Sequence, residues 1–258
     1  MQGRDSPPFD GPAIALTQVG VRFRIPTDRI LSFKEYVLHL LTSRIEHREF
    51  DALTDVTCQI DRGQVMGIVG RNGAGKSTLL KVISRVLHPT RGRVVVRGQL
   101  APLLELGAGF HPDLTGRENV VMNGTILGYA KSSIEQSLEA VAEFSELEAF
   151  LDAPLRTYSS GMVARLGFAV ATQFRPDILV LDEVLAVGDL AFQEKCLERI
   201  RGFRAQGTTI LLVSHALETI QTHCDSVIWL ENGRLAASGT PSEVLPLYRN
   251  ALAVQEKE

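Results

Sequence analysis

Apolar and polar positions follow different spacings in successive parts of this chain, and these spacings predict alternating strands and helices. Alternating apolar residues over 14–24 predict a half-buried strand. The continuous apolar run at 178–181 and the run at 208–213, which is apolar from Ile210 onward, predict buried strands, which are typical of parallel sheets. Helical apolar spacing at 190–206 lies between these two runs. We therefore expect an α/β fold with a parallel core sheet.

Turn signals divide the rest of the chain into further strands and one long helical stretch. Strands are predicted at 53–60, 64–69 and 93–97. Asn232-Gly233, between two apolar segments, is the strongest signal for a two-residue hairpin turn. From Thr115 to about Leu155 the spacing is helical, and Glu118 lies at the position that a helix capping box requires. The sequence thus predicts a hairpin and an inserted helical subdomain.

Residues 30–48 interrupt the strand order with an amphipathic helical pattern. Its apolar positions share one helical face and are Phe33, Val37, Leu40, Leu41 and Ile45. Charged residues and histidines occupy the other face and the end of the segment. The periodicity allows two interpretations: a surface helix packed on its own sheet, or a helix that lies at a membrane interface or docks a partner.

Composition argues against several classes of protein. The 258 residues carry a formal net charge of −3 with both signs dispersed, so the chain lacks the basic field of a nucleic-acid binder. Cys58, Cys196 and Cys224 lack C-x-x-C spacing and are expected to be reduced, buried thiols in a cytosolic protein. No window reaches the ~18 apolar residues of a membrane-spanning helix. Residues 1–12 are expected to form a flexible tail without a secretory signal.

The clearest chemical signal is the pattern G-x-x-x-x-G-K-[ST] at residues 70–77. A predicted strand precedes it and a predicted helix follows it, so backbone N–H groups and the helix dipole converge on the turn and favour phosphate groups. Lys76 adds a positive charge for the β- and γ-phosphates, and Ser77 offers a hydroxyl to Mg²⁺. The residues of this phosphate loop are Gly70, Arg71, Asn72, Gly73, Ala74, Gly75, Lys76, Ser77 and Thr78.

Polar side chains also follow two predicted core strands. Ligands bind outside the carboxyl ends of parallel strands, so Asp182 and Glu183 are expected beside the phosphate loop. Asp182 is a candidate Mg²⁺ ligand, and Glu183 is a candidate base that orients or deprotonates the attacking water. His215 follows a strand expected to neighbour the one ending at Asp182, within reach of the γ-phosphate as a hydrogen-bond donor. The alternative is a structural role, in which Asp182 and Glu183 are acids at the start of a helix and His215 forms hydrogen bonds with its neighbours.

A second candidate phosphate cradle opens the helix predicted at 163–174. It consists of Ser159, Ser160, Gly161 and Met162. Small residues before a helix are usually only an N-cap, which is the alternative interpretation. One chain hardly needs two cradles for one phosphate, whereas two chains that face each other could use both.

Taken together, the phosphate loop, residues 159–162, the strand with Asp182-Glu183, and His215 resemble the Walker A, signature, Walker B and H-loop segments of ABC-type ATPases. The resemblance covers roughly residues 14–252 and implies an ABC ATPase domain at 13–258. This domain would have the P-loop NTPase fold with an antiparallel β-subdomain. Its Q-loop, helical subdomain and signature helix would lie at about 106–175. It implies ATP and Mg²⁺ as cofactors and a homodimer in which the signature of one chain completes the site of the other. Asp189 falls at the D-loop, and Glu105 lies nearest the Q-loop position, where glutamine is usual.

Three details resemble a narrower branch, the ATP-binding subunits of exporters for O-antigen, capsule or teichoic acid. They are the segment 104–119, the absence of proline at position 184, and the helix at 30–48, which would be a gate helix at the membrane interface. This branch implies two copies of an integral membrane permease, which handles the lipid-linked glycan, and a peripheral location on the cytoplasmic face of the inner membrane. Nucleic acid is not an expected partner.

Two questions stay open at the level of sequence. The aromatic residue that stacks on adenine has three candidates, which are Phe23, His47 and Phe50. The function also has rivals: an exporter of small lipids or drugs, a soluble non-transport ABC protein, or a kinase or GTPase. The helix at 30–48 and the segment 186–189 argue against the first. The second usually carries two ATPase domains or a long coiled coil, and the third has no use for residues 159–161.

Overall fold

The computed structural model describes residues 11–26, 47–103, 106–182, 188–214 and 216–255. The predicted tail at 1–12 and gate-like helix at 30–48 therefore lie largely outside the described residues. Glu105, Glu183 and His215 lie outside them as well. All structural statements below concern the described ranges.

Nine strands within these ranges form two sheets. They are β1 Ile14–Pro26, β2 His47–Ile60, β3 Val65–Val69, β4 Arg91–Val96, β5 Leu100–Leu103, β6 Ile178–Asp182, β7 Thr209–Val213, β8 Ser226–Glu231 and β9 Arg234–Gly239. A three-stranded sheet has the order β2-β1-β4, and both of its pairings are antiparallel. A six-stranded sheet has the order β5-β6-β7-β3-β8-β9 and is parallel except for the β8–β9 hairpin. The expected parallel core sheet and antiparallel β-subdomain are confirmed.

One boundary of the sequence prediction was wrong. His47 and Arg48, placed at the end of the helix at 30–48, belong instead to strand β2. They pair with Pro26 and Ile25 of β1, so the antiparallel ladder extends to this point. In this ladder the backbone groups of both strands find hydrogen-bond partners. His47 and Arg48 add no apolar residue to the helical pattern, so the strand pairing determines their conformation.

The helices are distributed around the six-stranded sheet and within one insertion. They are α1 Lys76–Ile83, α2 Gly116–Ile126, α3 Lys131–Gln136, α4 Leu138–Ser145, α5 Ser160–Ala171, α6 Leu190–Ala205, α7 Leu217–His223 and α8 Pro241–Gln255. Helices α2 to α5 lie between β5 and β6 in the chain, as expected for the inserted subdomain. The capping box is confirmed: Glu118 N–H donates to Thr115 Oγ1 (3.2 Å), and Thr115 N–H donates to Glu118 Oε2 (2.8 Å). None of the described helices is long and apolar enough to cross a lipid bilayer.

The core divides into two layers, one on each face of the six-stranded sheet. In β7, Ile210 and Leu212 face one layer, while Leu211 and Val213 face the other, as the period of two requires. The first layer contains the buried side chains of α5 and α6. The second layer contains the buried side chains of α1 and of the antiparallel sheet. Helix α1, which follows the phosphate loop, is therefore held between the two sheets.

The hairpin and two of the three cysteines follow the sequence predictions, whereas the predicted burial of Cys58 was wrong. Asn232 and Gly233 both have positive φ, 47° and 74°, which is the backbone that a type I′ turn needs between β8 and β9. Cys58, Cys196 and Cys224 are free thiols; the last two are buried, whereas Cys58 is only half-buried. Burial raises the pKa of Cys58 to about 11 and that of the other two to about 12, so all three are protonated at neutral pH.

Candidate nucleotide-binding site

The phosphate loop joins the end of β3 to the start of α1, where its backbone packs tightly against other strands. A side chain at Gly75, whose φ is 103°, would place its Cβ 2.7 Å from the carbonyl oxygen of Ala52. Gly73 has a φ of 81°, and a Cβ there would meet no atom within 4 Å. The loop is thus closed on the side of β2 and open at Gly73. Glycine is required at both positions by the positive φ.

Lys76 is the first residue of α1, and its side chain folds back under the loop. It is only 8% exposed, and its Nζ donates hydrogen bonds to the carbonyl oxygens of Gly70 (2.7 Å) and Arg71 (3.0 Å). These contacts hold a positive charge at the N-terminus of a helix whose dipole has the same sign there. The arrangement attracts anions such as phosphate groups.

A cavity of about 340 Å³ brings the predicted phosphate and metal residues together. It is lined by Phe50, Ala52, Asn72, Gly73, Gly75, Lys76, Ser77, Thr78, Asp182 and Val213. Asp182 and Val213 end the neighbouring parallel strands β6 and β7. The carboxyl ends of these strands thus meet the phosphate loop, as the topology of an open α/β sheet leads one to expect.

Another cavity, of about 260 Å³, borders Arg71–Ala74 on the side of β8 and α8. Its lining includes Trp229 and Tyr248, but none of Lys76, Ser77 and Asp182. Its carboxylate and hydroxyl groups belong to β8 and α8, and not to the phosphate loop or the end of β6, where the predicted phosphate and metal residues lie. The cavity at Asp182 is therefore the candidate nucleotide site.

Among the aromatic candidates for adenine contact, Phe50 lies at the cavity. Phe50 is 53% exposed and lines the cavity together with its β2 neighbour Ala52. Phe23 is directly across the β1–β2 ladder and does not line the cavity. Strand β2 is fixed next to the loop because Thr54 N–H donates to the Gly233 carbonyl (2.7 Å) and Gly233 N–H donates to the Ala74 carbonyl (3.0 Å).

Arg22 stiffens the end of β2 near Phe50. Its guanidinium donates to both carboxylate oxygens of Asp51, at 2.6 and 3.0 Å, and to Glu49 at 2.7 Å. The hydrogen bond from Arg22 holds the pKa of Asp51 below its ordinary value. These contacts fix the strand on either side of Phe50.

The second cradle opens helix α5 as predicted but lies outside the cavity of its own chain. Ser159 is the N-cap, and its Oγ accepts a hydrogen bond from Met162 N–H at 3.2 Å. Ser160 is exposed, and a Cβ at Gly161 would meet only Ser159 Oγ, at 3.8 Å. None of the described residues that line the 340 Å³ cavity belongs to 159–162. The start of α5 is therefore exposed and does not form part of this cavity.

Asp189, the predicted D-loop residue, is the N-cap of α6. Its Oδ1 accepts a hydrogen bond from Phe192 N–H at 3.0 Å, and this bond is the main reason that its pKa lies below the ordinary value. Its other carboxylate oxygen accepts from Arg165 Nη2 at 2.8 Å. Sequence reasoning missed Arg165, because nothing in the spacing of charges along α5 shows which acid it reaches.

The segment that follows position 105 is anchored by two buried asparagines of α2. Asn119 Nδ2 donates to the carbonyl oxygen of His111 at 3.0 Å, and Asn123 Nδ2 donates to that of Ala108 at 3.0 Å. Gly167 of α5 allows a close approach of the same segment, since a Cβ there would lie 2.6 Å from Gly107 N. The segment next to the predicted Q-loop thus packs directly on the signature helix.

The loop, the strand order and the cavity define a P-loop nucleoside triphosphatase. A sequence model of the family described as ABC transporter matches residues 53–186. The O-antigen export system ATP-binding protein RfbB of Klebsiella pneumoniae is 49% identical over 209 residues, which is 81% of this chain and 85% of that protein. The chain belongs to the ABC transporter family and is an ABC-type ATPase; the predicted fold class is confirmed.

Other relatives agree with this membership, and solved structures agree with the fold. RfbB of Myxococcus xanthus is 45% identical over 95% of this chain, which spans only 57% of that protein. The teichoic acids export ATP-binding protein TagH of Shouchella clausii is 36% identical over 93% of this chain and 66% of its own length. A solved ATP-binding subunit of an ABC transporter superposes with a TM-score of 0.71 at 24% identity, over 95% of this chain and all of that one. The dimeric post-hydrolysis structure of the cassette MJ0796 bound to ADP and Pi gives a TM-score of 0.68 at 19% identity, over 88% and 98% of the two chains.

Proposed function

We propose that this chain is the ATP-hydrolysing subunit of a transporter that exports a lipid-linked polysaccharide or a teichoic acid through a separate membrane subunit. The observation that carries the proposal is the 49% identity to an O-antigen export ATP-binding protein over 85% of that protein's length. The cavity that joins Lys76, Ser77 and Asp182 supports the ATPase part of the proposal. The substrate class rests on the similarity to O-antigen and teichoic acid export proteins. The site residues of this chain do not bear on it, because the permease would handle most of the glycan.

The site residues divide the work of phosphoryl transfer. Lys76 and the loop N–H groups would hold the β- and γ-phosphates, with Phe50 stacked on adenine. Ser77 and Asp182 would hold Mg²⁺, which neutralises phosphate charge when bound. Two oxygen donors suit this ion, because Mg²⁺ usually takes one or two protein ligands together with phosphate oxygens and water. No cluster of three His, Cys, Asp or Glu occurs in the described ranges, so these residues offer no rival metal cage.

The remaining roles concern residues outside the described ranges and contacts with other chains. Glu183 would orient or deprotonate the attacking water, His215 would donate a hydrogen bond to the γ-phosphate, and Glu105 would occupy the Q-loop position. Residues 159–162 would complete the site of a second copy of the chain, so that ATP closes the dimer and hydrolysis reopens it. Two permease subunits would hold the pair at the cytoplasmic face of the inner membrane, with residues 30–46 forming the gate helix.

The proposal is tested by expressing a tagged form of the chain in its source cells and purifying it from their membranes with any protein that it binds. We expect affinity purification to recover a multi-spanning membrane protein and an ATPase activity that rises when lipid-linked glycan is present. Glu183→Gln should abolish hydrolysis while ATP binding persists, since only the water-activating group changes. Near-normal turnover of Glu183→Gln would contradict its role. Stimulation by small lipids or drugs but not by glycan would favour the rival exporter, and recovery without any membrane protein would favour a soluble ABC protein.

A further inference from the structure

Arg165 connects three helices, one of which begins with the second candidate phosphate cradle. It lies on the signature helix α5, and its side chain is only 18% exposed. Its Nη1 donates to Glu146 Oε2 at 2.8 Å, and its Nη2 donates to Asp189 Oδ2, also at 2.8 Å. Glu146 ends α4 of the inserted subdomain, and Asp189 begins α6. One guanidinium therefore joins α4, α5 and α6.

The backbone around Arg165 leaves its side chain little freedom. A Cβ at Gly188 would lie 2.9 Å from Arg165 Nε and 3.3 Å from Phe192 Cβ, so the guanidinium packs against the backbone that precedes Asp189. Its central carbon also lies 4.8 Å from the centroid of the Phe192 ring, which is fully buried. Such a cation–π contact adds to the ion pairs and restricts the side chain further.

Beneath this contact lies a buried aromatic cluster shared by the same three helices. The ring centroids of Phe144, Phe168 and Phe192 are separated by 5.6 to 6.4 Å. Arg199 of α6 covers the Phe144 ring at 3.5 Å. Lys195, also on α6, donates to the Phe144 carbonyl at 3.0 Å and pairs with Glu146 at 3.3 Å. Close packing of this kind transmits displacement instead of absorbing it.

We propose that Arg165 is a positioning residue that couples the two nucleotide sites of the dimer. This inference rests on the proposed function, in which residues 159–162 at the start of α5 complete the partner's site. Asp189 follows Asp182 of the chain's own site in the sequence. Arg165 ties Asp189, at the start of α6, to α5. A shift of α6 that accompanies a change at the chain's own nucleotide site would therefore move α5, whose first residues serve the partner's nucleotide site. Glu146 extends the same link to the inserted subdomain.

The chemistry of the guanidinium explains why arginine is needed at this position. Its two terminal nitrogens point in fixed directions and bind two different carboxylates at once, which the single ammonium of lysine does not reproduce. Glu146 and Asp189 are 51% and 65% exposed, so each ion pair by itself contributes little to stability. The effect of changing Arg165 should therefore appear in the coupling between sites rather than in folding.

The experiment compares Arg165→Lys with wild type and with Arg117→Ala in the purified transporter complex. Arg117 pairs with Asp152 in the inserted subdomain (3.0 Å), is more exposed than Arg165, and serves as the control for loss of an arginine ion pair outside this link. We expect Arg165→Lys to lower the maximal ATPase rate about tenfold, within the range that coupling residues show, and to reduce the Hill coefficient for ATP toward one. ATP affinity of the isolated subunit and its melting temperature should stay at wild-type values, as should all properties of Arg117→Ala.

Three outcomes would overturn the inference. Arg165→Lys could keep both the rate and the Hill coefficient, or both variants could lose activity equally. Arg165→Lys could also lose ATP affinity or thermal stability in proportion to its activity, which would indicate a structural role only. An inactive wild-type complex is a different result, seen before any variant is made, and it would overturn the proposed function itself.

Discussion

Replacing Phe50 by alanine tests whether the 340 Å³ cavity binds ATP in the orientation that the structure supports. The side chain is 53% exposed and lines the cavity from strand β2. In the free protein the ring is only about half-buried on an exposed strand, so its removal should change stability by no more than about 1 kcal/mol. Its effect should appear only when a base lies on the ring.

The magnitude follows from the strength of stacking between a base and an aromatic side chain. Alanine substitution of such a residue costs about 1–3 kcal/mol, which weakens ATP binding by about 5- to 150-fold. Phe50→Tyr should retain most of the affinity, because the ring face is kept. Inorganic triphosphate should bind Phe50→Ala and wild type equally, since the phosphate loop is untouched.

Phe23→Ala is the matched control for this experiment. Phe23 faces Phe50 across the ladder, is 39% exposed and does not line the cavity. Calorimetric titration of the isolated subunit with ATP and with triphosphate measures the wild type and all three variants under the same conditions. Unchanged ATP affinity in Phe50→Ala, or an equal loss in Phe23→Ala, would refute the assignment of Phe50 to adenine.

Three further predictions concern the metal, a helix cap and the thiols. Asp182→Asn should remove the Mg²⁺ dependence of ATP binding, measured by titration with and without the ion, because a charged oxygen ligand is lost. Thr115→Ala should lower the free energy of unfolding by about 1 kcal/mol in denaturant titration, since the cap of α2 is lost. Cys196 and Cys224 should resist maleimide at neutral pH until the protein unfolds. Because burial raises their pKa from 9.0 to about 12, the native state keeps protons that the unfolded state releases, so stability should fall as pH rises above 9.0.

Local chemistry was sufficient to predict much of the site. The phosphate loop is recognisable because glycines, Lys76 and Ser77 occur at fixed spacing between a strand and a helix. The capping box at Thr115 and the turn at Asn232-Gly233 are equally local, since each depends on residues at most three positions apart. The adjacency of β6 and β7 followed from their apolar character and the rules of parallel sheets, so Asp182 was expected near the loop.

Tertiary structure decided which distant residues meet. Phe23 and Phe50 are equivalent in the sequence pattern, but the attachment of β2 to the turn at Gly233 brings only Phe50 to the cavity. The ladder with β1 likewise placed His47 in a strand, against its helical pattern. Arg165 meets Glu146 and Asp189 only because three helices converge on one aromatic cluster. Spacing along a chain determines local backbone form, whereas contacts between distant side chains depend on how sheets and helices pack.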